Sequence, residues 1–154
     1  MMKEVKSQMK VGVAIEVLWR KYAKEISFVL PKLAPNLVRS IEVIEGDGGL
    51  GTVYLINLGS EKSSLGYQKE KVTVFNESLH QIGMQVIEGG HLNHGFTSYT
   101  TVIQFNAVGE SETGVDVKVL YETEAEETRM PEETAKAILA FIKRLEDYLL
   151  KQGS

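Results

Sequence analysis

The chain has 154 residues, of which 43% are hydrophobic and 25% are charged, a composition typical of one soluble globular domain over residues 1–154. It contains no Cys, which excludes thiolate metal sites, cysteine nucleophiles and disulfides. The formal net charge of −4 gives no general attraction for nucleic acid, and no apolar run reaches the length of about 18 residues that a membrane helix needs. We therefore expect a cytoplasmic protein that binds neither nucleic acid nor a membrane.

The N-terminal segment predicts one strand and two short helices. Lys3–Val11 mixes charged residues with Val and Met and is interpreted as an opening strand. Over residues 14–22 apolar side chains recur four positions apart, which predicts an amphipathic helix. A second short helix over residues 27–33 is expected to be interrupted by Pro31 and Pro35. The two helices are therefore expected to form a bent V rather than one rod.

Residues 38–121 predict strands joined by tight turns. Turn signals rich in Gly, Asn and Ser occur at residues 46–49, 76–78 and 89–90, and a charged turn occupies residues 59–64. Because parallel strands need long crossover connections, short strands with tight turns favour an antiparallel meander. The predicted strands cover residues 41–45, 53–58, 67–75, 81–88, 97–107 and 115–121.

The C-terminal segment predicts the longest helix. Pro131 suits the first helical position, and Glu132 and Glu133 lie where the helix dipole favours negative charge. An apolar stripe follows over residues 135–149, and a helix of about 20 residues is about 30 Å long. Two short helices, six or seven antiparallel strands and one long helix together predict an α+β domain.

Three segments carry a resemblance to a known family. They are the glycine-rich turn at residues 46–51, the Pro-Lys-Leu-Ala-Pro segment at residues 31–35 and Ile-Glu-Gly-Gly at residues 87–90. With these segments in this order, essentially the whole chain resembles the plant pathogenesis-related class-ten proteins, the relatives of the major birch-pollen allergen. The segments that look closest to the cytokinin-specific, or phytohormone-binding, branch of that family are residues 43–49, 67–68 and 85–93.

The resemblance implies a fold and a kind of function. The fold is the helix-grip fold, in which a seven-stranded antiparallel sheet wraps around the long C-terminal helix and leaves a large apolar cavity. The implied function is binding of a small, mostly apolar plant molecule, with a cytokinin or gibberellin-type phytohormone as the first candidate and plant defence as the setting. We expect a monomer or a weak dimer, with a small-molecule ligand and no cofactor or metal.

Gln68 and Glu70 are the sharpest candidates for a binding site. If Val72 and Val74 face the interior, the alternation of a strand places Gln68 and Glu70 on the same face. A carboxylate and an amide on an apolar wall require partners, which a ligand with N–H or O–H groups would supply. The resemblance implies the same role, since the matching Gln and Glu of the hormone-binding branch contact the ligand. The alternative places Glu70 at an open cavity mouth, hydrated or paired with a nearby Lys.

Further residues are expected to line the cavity by strand parity and by the helix stripe. Phe141 stands where the hormone-binding branch often carries a Tyr that bonds the ligand, so one polar anchor is lost, and Phe141 is either a stacking surface or an ordinary core aromatic. The further predicted lining residues are Met84, Val86, Thr101, Ile103, Ile138, Phe141 and Ile142.

Two other features are expected to be structural. His91 and His94 are three positions apart, but two imidazoles without a third ligand make a weak metal site, so we expect a solvated pair in a turn at the cavity rim. His91 replaces a Tyr that is common in relatives at this position. The glycine-rich turn at residues 46–51 lacks the Lys-Ser/Thr ending of a phosphate-binding loop and is interpreted as a hairpin.

An enzyme remains the second hypothesis. In the family, norcoclaurine synthase uses a Tyr, a Glu, a Lys and an Asp, and the matching positions here hold Gln68, Glu70, Ile82 and Thr101, so that reaction is not expected. Other relatives act as isomerases or cyclases on terpenoid or alkaloid intermediates, where Glu70 could serve as the acid–base group. A third hypothesis is an interaction module with a filled core.

Overall fold

Seven strands form the sheet of a computed structural model that describes residues 1–125 and 128–152. The strands are β1 (Lys3–Val11), β2 (Val38–Glu45), β3 (Val53–Leu58), β4 (Tyr67–Asn76), β5 (Gln81–Gly89), β6 (Phe96–Gly109) and β7 (Glu112–Thr123). From β2 to β7 each strand pairs antiparallel with the next one along the chain, and β1 pairs antiparallel with β7. The order β1-β7-β6-β5-β4-β3-β2 confirms the predicted antiparallel sheet and leaves β1 and β2 at its edges.

The two predicted short helices are present between β1 and β2. The first consists of α1 (Ile15–Trp19) and a π-helical turn (Arg20–Lys24), and the second is α2 (Ile26–Leu33). They meet at Glu25, whose φ of −123° and ψ of 18° are not helical. The break in the helical segment therefore lies at Glu25, before α2 begins.

The expected interruption at Pro31 is wrong, because α2 continues through it to Leu33. A proline inside a helix removes one backbone donor and strains the preceding turn. Ile26 and Val29 are buried in the core, and their packing holds α2 in place despite that loss. The helix ends before Ala34, whose φ of −136° and ψ of 59° are not helical, as expected for the residue before a proline.

The long C-terminal helix, α3 (Met130–Gln152), packs against the sheet and the short helices. Its first turn carries the predicted acidic residues, and its buried stripe includes Phe141, Leu145 and Leu149. It contacts β1, β7 and α2. One sheet around one long helix, with two short helices, is the helix-grip fold that the resemblance implied. Over the part of the chain that the structure describes, no helix is both long and apolar enough to cross a membrane.

Two connections contain short 3₁₀ helices. The predicted charged turn between β3 and β4 forms one at Ser60–Leu65, and a second, Gly90–Asn93, follows β5 directly. Gly89 and Gly90 have φ values of 71° and 50°, which L-residues with side chains rarely adopt. These two glycines turn the chain from the end of β5 back towards β4.

Irregular pairing between β4 and β5 decides which β4 side chains face the interior. Val72 and Val74 pair with adjacent residues of β5, so Thr73 is an extra residue in β4. The bulge shifts the alternation by one position, and beyond it Phe75 packs on the hydrophobic core in place of Val74. The premise that Val74 faces the core is therefore wrong, whereas the alternation before the bulge, through the fully buried Val72, is regular.

Candidate ligand-binding site

An internal cavity of about 160 Å³ lies between the sheet, α2 and α3. Its wall is mostly apolar, with aliphatic side chains from β3, β5, β6, α2 and α3. Since a single water needs a site of roughly 10–15 Å³, the cavity has room for about ten waters or for a small organic molecule. The fold thus provides an apolar compartment that is partly open to solvent, and at about 160 Å³ it is smaller than the large cavity that the resemblance implied.

Eight of the nine predicted site residues line this cavity, and Ile142 does not. Ile142 lies about 100° round α3 from Phe141, and it is fully buried in the hydrophobic core together with Leu145. The helix stripe is wider than the part of α3 that faces the cavity, so the expectation for Ile142 is wrong. The eight lining residues are Gln68, Glu70, Met84, Val86, Thr101, Ile103, Ile138 and Phe141.

Gln68 and Glu70 form the polar end of the cavity. The side-chain Nε2 of Gln68 donates to Oε2 of Glu70 at 3.0 Å, and Gln68 is 6% exposed. Burial raises the pKa of Glu70 to about 7, and the hydrogen bond from Gln68 only partly offsets this effect. The alternative pairing of Glu70 with a nearby lysine is not what the structure shows. Lys62 also lines the cavity, but it forms an ion pair with Glu133 instead, with 3.6 Å between Nζ and Oε2.

His91 is buried, so the expectation of a solvated pair is wrong for this residue. It is 7% exposed, and its ring stacks on that of Tyr99 with 3.8 Å between the ring centroids. Its Nδ1 lies 3.0 Å from Oε1 of Gln68. Burial and, to a smaller extent, the charges of Lys62 and His94 lower its pKa to about 4, so the ring is neutral at pH 7. His94 is exposed, with Nε2 3.2 Å from the Ser64 carbonyl oxygen.

Three tyrosines, Tyr22, Tyr54 and Tyr99, also line the wall, and none of them was predicted as a site residue. The Tyr99 hydroxyl lies 2.5 Å from Oγ1 of Thr134 and donates to the Met130 carbonyl oxygen at 3.2 Å. Burial raises the pKa of both Tyr22 and Tyr99, and the charge of Glu70 adds to the shift in each case, so both phenols stay protonated at neutral pH. Tyr22 belongs to the helical pattern over residues 14–22, and Tyr99 shares strand parity with Thr101, so both could have been found from the sequence.

The chemistry of this site is that of one carboxyl group, the ammonium group of Lys62 and several neutral polar groups. With a pKa of about 7, Glu70 is present in both protonation states near neutral pH. Beside it lie an amide, a neutral imidazole and phenol groups, all able to hydrogen-bond a ligand or to stay paired with each other. Apart from Lys62, Thr101 and Thr134, the remainder of the wall is apolar and would contact a ligand by packing alone.

A sheet closed by one long helix around an apolar cavity with a few convergent polar groups is the architecture of a small-ligand-binding protein. The chain belongs to the pathogenesis-related protein Bet v 1 family, whose family model matches residues 1–152. The proteins of this family are known for binding small ligands.

Individual relatives agree with this assignment. Pathogenesis-related protein B of Petroselinum crispum is 31% identical over 145 residues, which cover 90% of this chain and 91% of the relative. Norbelladine synthase of Narcissus pseudonarcissus is 27% identical over 120 residues, covering 77% of this chain and 74% of that protein. The structure of norcoclaurine synthase from Thalictrum flavum with dopamine and hydroxybenzaldehyde superimposes with a TM-score of 0.82 at 23% identity, covering 100% of this chain and 90% of the other.

Proposed function

We propose that this protein binds a small, mostly apolar plant molecule in its internal cavity, with cytokinins and gibberellins as the first candidates. The observation that carries the proposal is the Gln68–Glu70 pair on a mostly apolar wall. Among the residues that the structure describes, Gln68 is the one hydrogen-bond partner of the Glu70 carboxylate. An interior carboxylate with a single neutral partner is costly, and a ligand N–H or O–H would supply a second donor.

The two parts of the wall would divide the work of binding. Affinity would come mostly from the burial of apolar ligand surface against aliphatic residues such as Val86 and Ile103. Met84 can adapt its shape to different ligands, and Phe141 offers a ring face to a planar one. Gln68 and Glu70 would fix the orientation of the ligand.

Calorimetric titration of the protein with a cytokinin, a gibberellin, abscisic acid and auxin tests this proposal. For a ligand that donates to the carboxylate, Glu70→Gln should weaken binding by about 1.5–3 kcal/mol, because a hydrogen bond to a charged group is lost. Glu42→Gln is the matched control, since it makes the same change at an exposed carboxylate of β2 that does not line the cavity, and it should leave the affinity nearly unchanged. Equal affinities of the wild-type protein and Glu70→Gln would contradict the assigned role.

A second candidate is an isomerase or cyclase of plant specialised metabolism that uses the same cavity. The observation in its favour is the pKa of about 7 for Glu70, because a group that is half protonated at neutral pH can both donate and accept a proton during a reaction. A relative named norbelladine synthase, at 27% identity, supports the same direction. Incubation with terpenoid and alkaloid intermediates should then consume one of them, and Glu70→Ala should abolish turnover. Recovery of every bound compound unchanged would favour the binding protein.

The setting of the function can be tested separately. We propose that the protein acts in the cytoplasm in plant defence, as a monomer or a weak dimer. A fluorescent fusion expressed in plant cells should be cytoplasmic, and light scattering after gel filtration should give the monomer mass at low concentration. A stable dimer at micromolar concentration would contradict the expected oligomeric state.

A further inference from the structure

The hydrogen bonds at the polar end of the cavity run in one direction. An ionised carboxylate only accepts, so Gln68 must turn its Nε2 towards Glu70, as the 3.0 Å contact shows. Its Oε1 then faces Nδ1 of His91 at 3.0 Å. Because an amide oxygen only accepts, the proton of the neutral His91 ring must lie on Nδ1. The three side chains thus form a chain of donors that leads from His91 through Gln68 to Glu70.

His91 is held so that it cannot easily leave this chain. Its ring stacks on that of Tyr99 with an interplanar angle of 10° and 3.8 Å between the ring centroids. It also makes an edge contact with the Phe96 ring, with an interplanar angle of 82° and a centroid distance of 5.9 Å. The turn that carries it also packs on the amide, since a Cβ added at Gly90 would lie 2.1 Å from Oε1 of Gln68. The His91 imidazole and the close approach of Gly90 together restrict the Gln68 amide oxygen to one orientation, towards Nδ1 of His91.

We propose that His91 is a positioning residue that fixes the orientation of the Gln68 amide, so that the cavity presents an amide donor beside the acceptor oxygens of Glu70. This proposal deepens the proposed function, on which its consequence for ligand choice rests. A ligand held at this end of the cavity must place a hydrogen-bond acceptor near Gln68 and an N–H or O–H donor near Glu70. When Glu70 is protonated it can donate to an amide oxygen, so without His91 the amide can then rotate by 180° and exchange its donor and acceptor, and this selection is lost.

The tautomer of His91 gives a test that needs no ligand. A ¹⁵N–¹H correlation spectrum of the imidazole, recorded at pH 9 where Glu70 is ionised, should show the proton on Nδ1. A proton on Nε2 under these conditions would overturn the proposal, because His91 could not then donate to Gln68. The result decides the role of His91 whether or not the protein binds a hormone.

Two variants separate the hydrogen bond from the ring stacking. His91→Phe keeps a ring against Tyr99 but has no donor, whereas His91→Asn loses the ring and places an amide nitrogen close to the position of Nδ1. We expect the pKa of Glu70, followed by ¹³C NMR of its carboxyl group, to rise by about one unit in His91→Phe as the fixed Gln68 donor is lost. In His91→Asn it should stay near the wild-type value. A rise in His91→Asn alone would show that the ring, and not the donor, positions Gln68.

Binding of 6-benzylaminopurine, which carries adjacent ring acceptors and N–H donors, tests the consequence for ligand choice. We expect His91→Phe to bind it about tenfold more weakly than the wild-type protein, and His91→Asn to bind within about threefold, since one charge-assisted hydrogen bond is at stake. Equal binding by His91→Phe and the wild-type protein would refute the selection. If the wild-type protein does not bind this probe, hormone binding by the cytokinin class fails, while the tautomer and the Glu70 titration still decide the role of His91.

Discussion

Among the residues that the structure describes, Glu70 and Glu146 lie inside the protein, and their surroundings move their pKa values in opposite directions. Burial raises the pKa of Glu70 to about 7, with the Gln68 amide as a weak counterweight. Burial also acts to raise the pKa of Glu146 on α3, but the backbone N–H of Gly12 and the ammonium of Lys143 outweigh it and hold the pKa below the ordinary value of 4.5. Glu146 is 6% exposed and is fully occupied by its partners in joining α3 to the end of β1.

The difference separates a structural carboxylate from a candidate functional one. Glu146 has a backbone donor and a cation, so its charge is compensated within the fold. Glu70 lies on a cavity wall, and its amide partner does not compensate its charge. A strongly perturbed carboxyl beside a cavity is what a binding or catalytic site contains, whereas a compensated one stabilises the fold.

Glu146→Ala should lower the free energy of unfolding by about 3–4 kcal/mol, because it leaves the Gly12 N–H without its acceptor and removes a buried side chain. Urea unfolding at pH 7 measures the loss. Glu146→Gln is the matched control: it keeps an oxygen for Gly12 and should be less destabilising. Since the pKa of Glu146 is lowered by folding, its contribution is present above pH 4.5 and is lost as the pH falls below that value. If Glu146→Ala were as stable as the wild-type protein, the structural role of Glu146 would be contradicted.

Glu70→Gln should change the pH dependence of stability in the opposite sense. Folding raises the pKa of Glu70 from 4.5 to about 7, so the folded protein holds a proton that the unfolded chain has released. The free energy of unfolding of the wild-type protein should therefore fall between about pH 4.5 and pH 7, by up to about 3 kcal/mol. In Glu70→Gln this fall should be absent. Urea titrations at pH 5 and pH 8 measure it, and an identical slope in both proteins would show that Glu70 is not the group concerned.

Gly90→Ala should have the smallest effect on stability and a clear effect on the site. A side chain at the positive φ of 50° costs about 1–2 kcal/mol, and the new Cβ would displace the Gln68 amide. Gly48→Ala is the matched control, since Gly48 also has a positive φ, of 102°, but a Cβ there meets nothing within 4 Å. Both variants should lose stability in thermal unfolding, and only Gly90→Ala should raise the pKa of Glu70. An unchanged Glu70 titration in Gly90→Ala would mean that the amide has room to move.

Much of the fold follows from local patterns in the sequence. Strand alternation, glycine-rich turns and the helix stripe give the elements, because each depends on residues that are near each other in the chain. The placement of Gln68 and Glu70 on the interior face follows from the same alternation, since both precede the bulge at Thr73. Val74 lies beyond the bulge, and the alternation has no local signal for one extra residue.

The residues that sequence reasoning placed wrongly depend on contacts between distant segments. His91 is in a polar turn, and only the fold of Gly89 and Gly90 back over β4 brings it against Gln68 and Tyr99. Two consecutive glycines before a histidine were the available signal for a sharp turn, but they do not say what the turn packs on. Ile142 belongs to the helix stripe, and the stripe does not tell which apolar residues face a cavity and which face filled core.

The hydrogen bond between Gly12 and Glu146 joins residues that are 134 positions apart in the chain. The pairing of β1 with β7 is similarly distant, with Lys3 opposite Tyr121. Contacts between residues so far apart in sequence form slowly, because most of the chain must be ordered before they are made. Strand β1 and helix α3 are therefore expected to pack against the rest of the protein late in folding. Until then the cavity wall is open to solvent. The apolar interior that suits a ligand is also the surface through which unfinished copies of the chain would associate, so a ligand present during folding would protect the protein from aggregation as well as occupy its site.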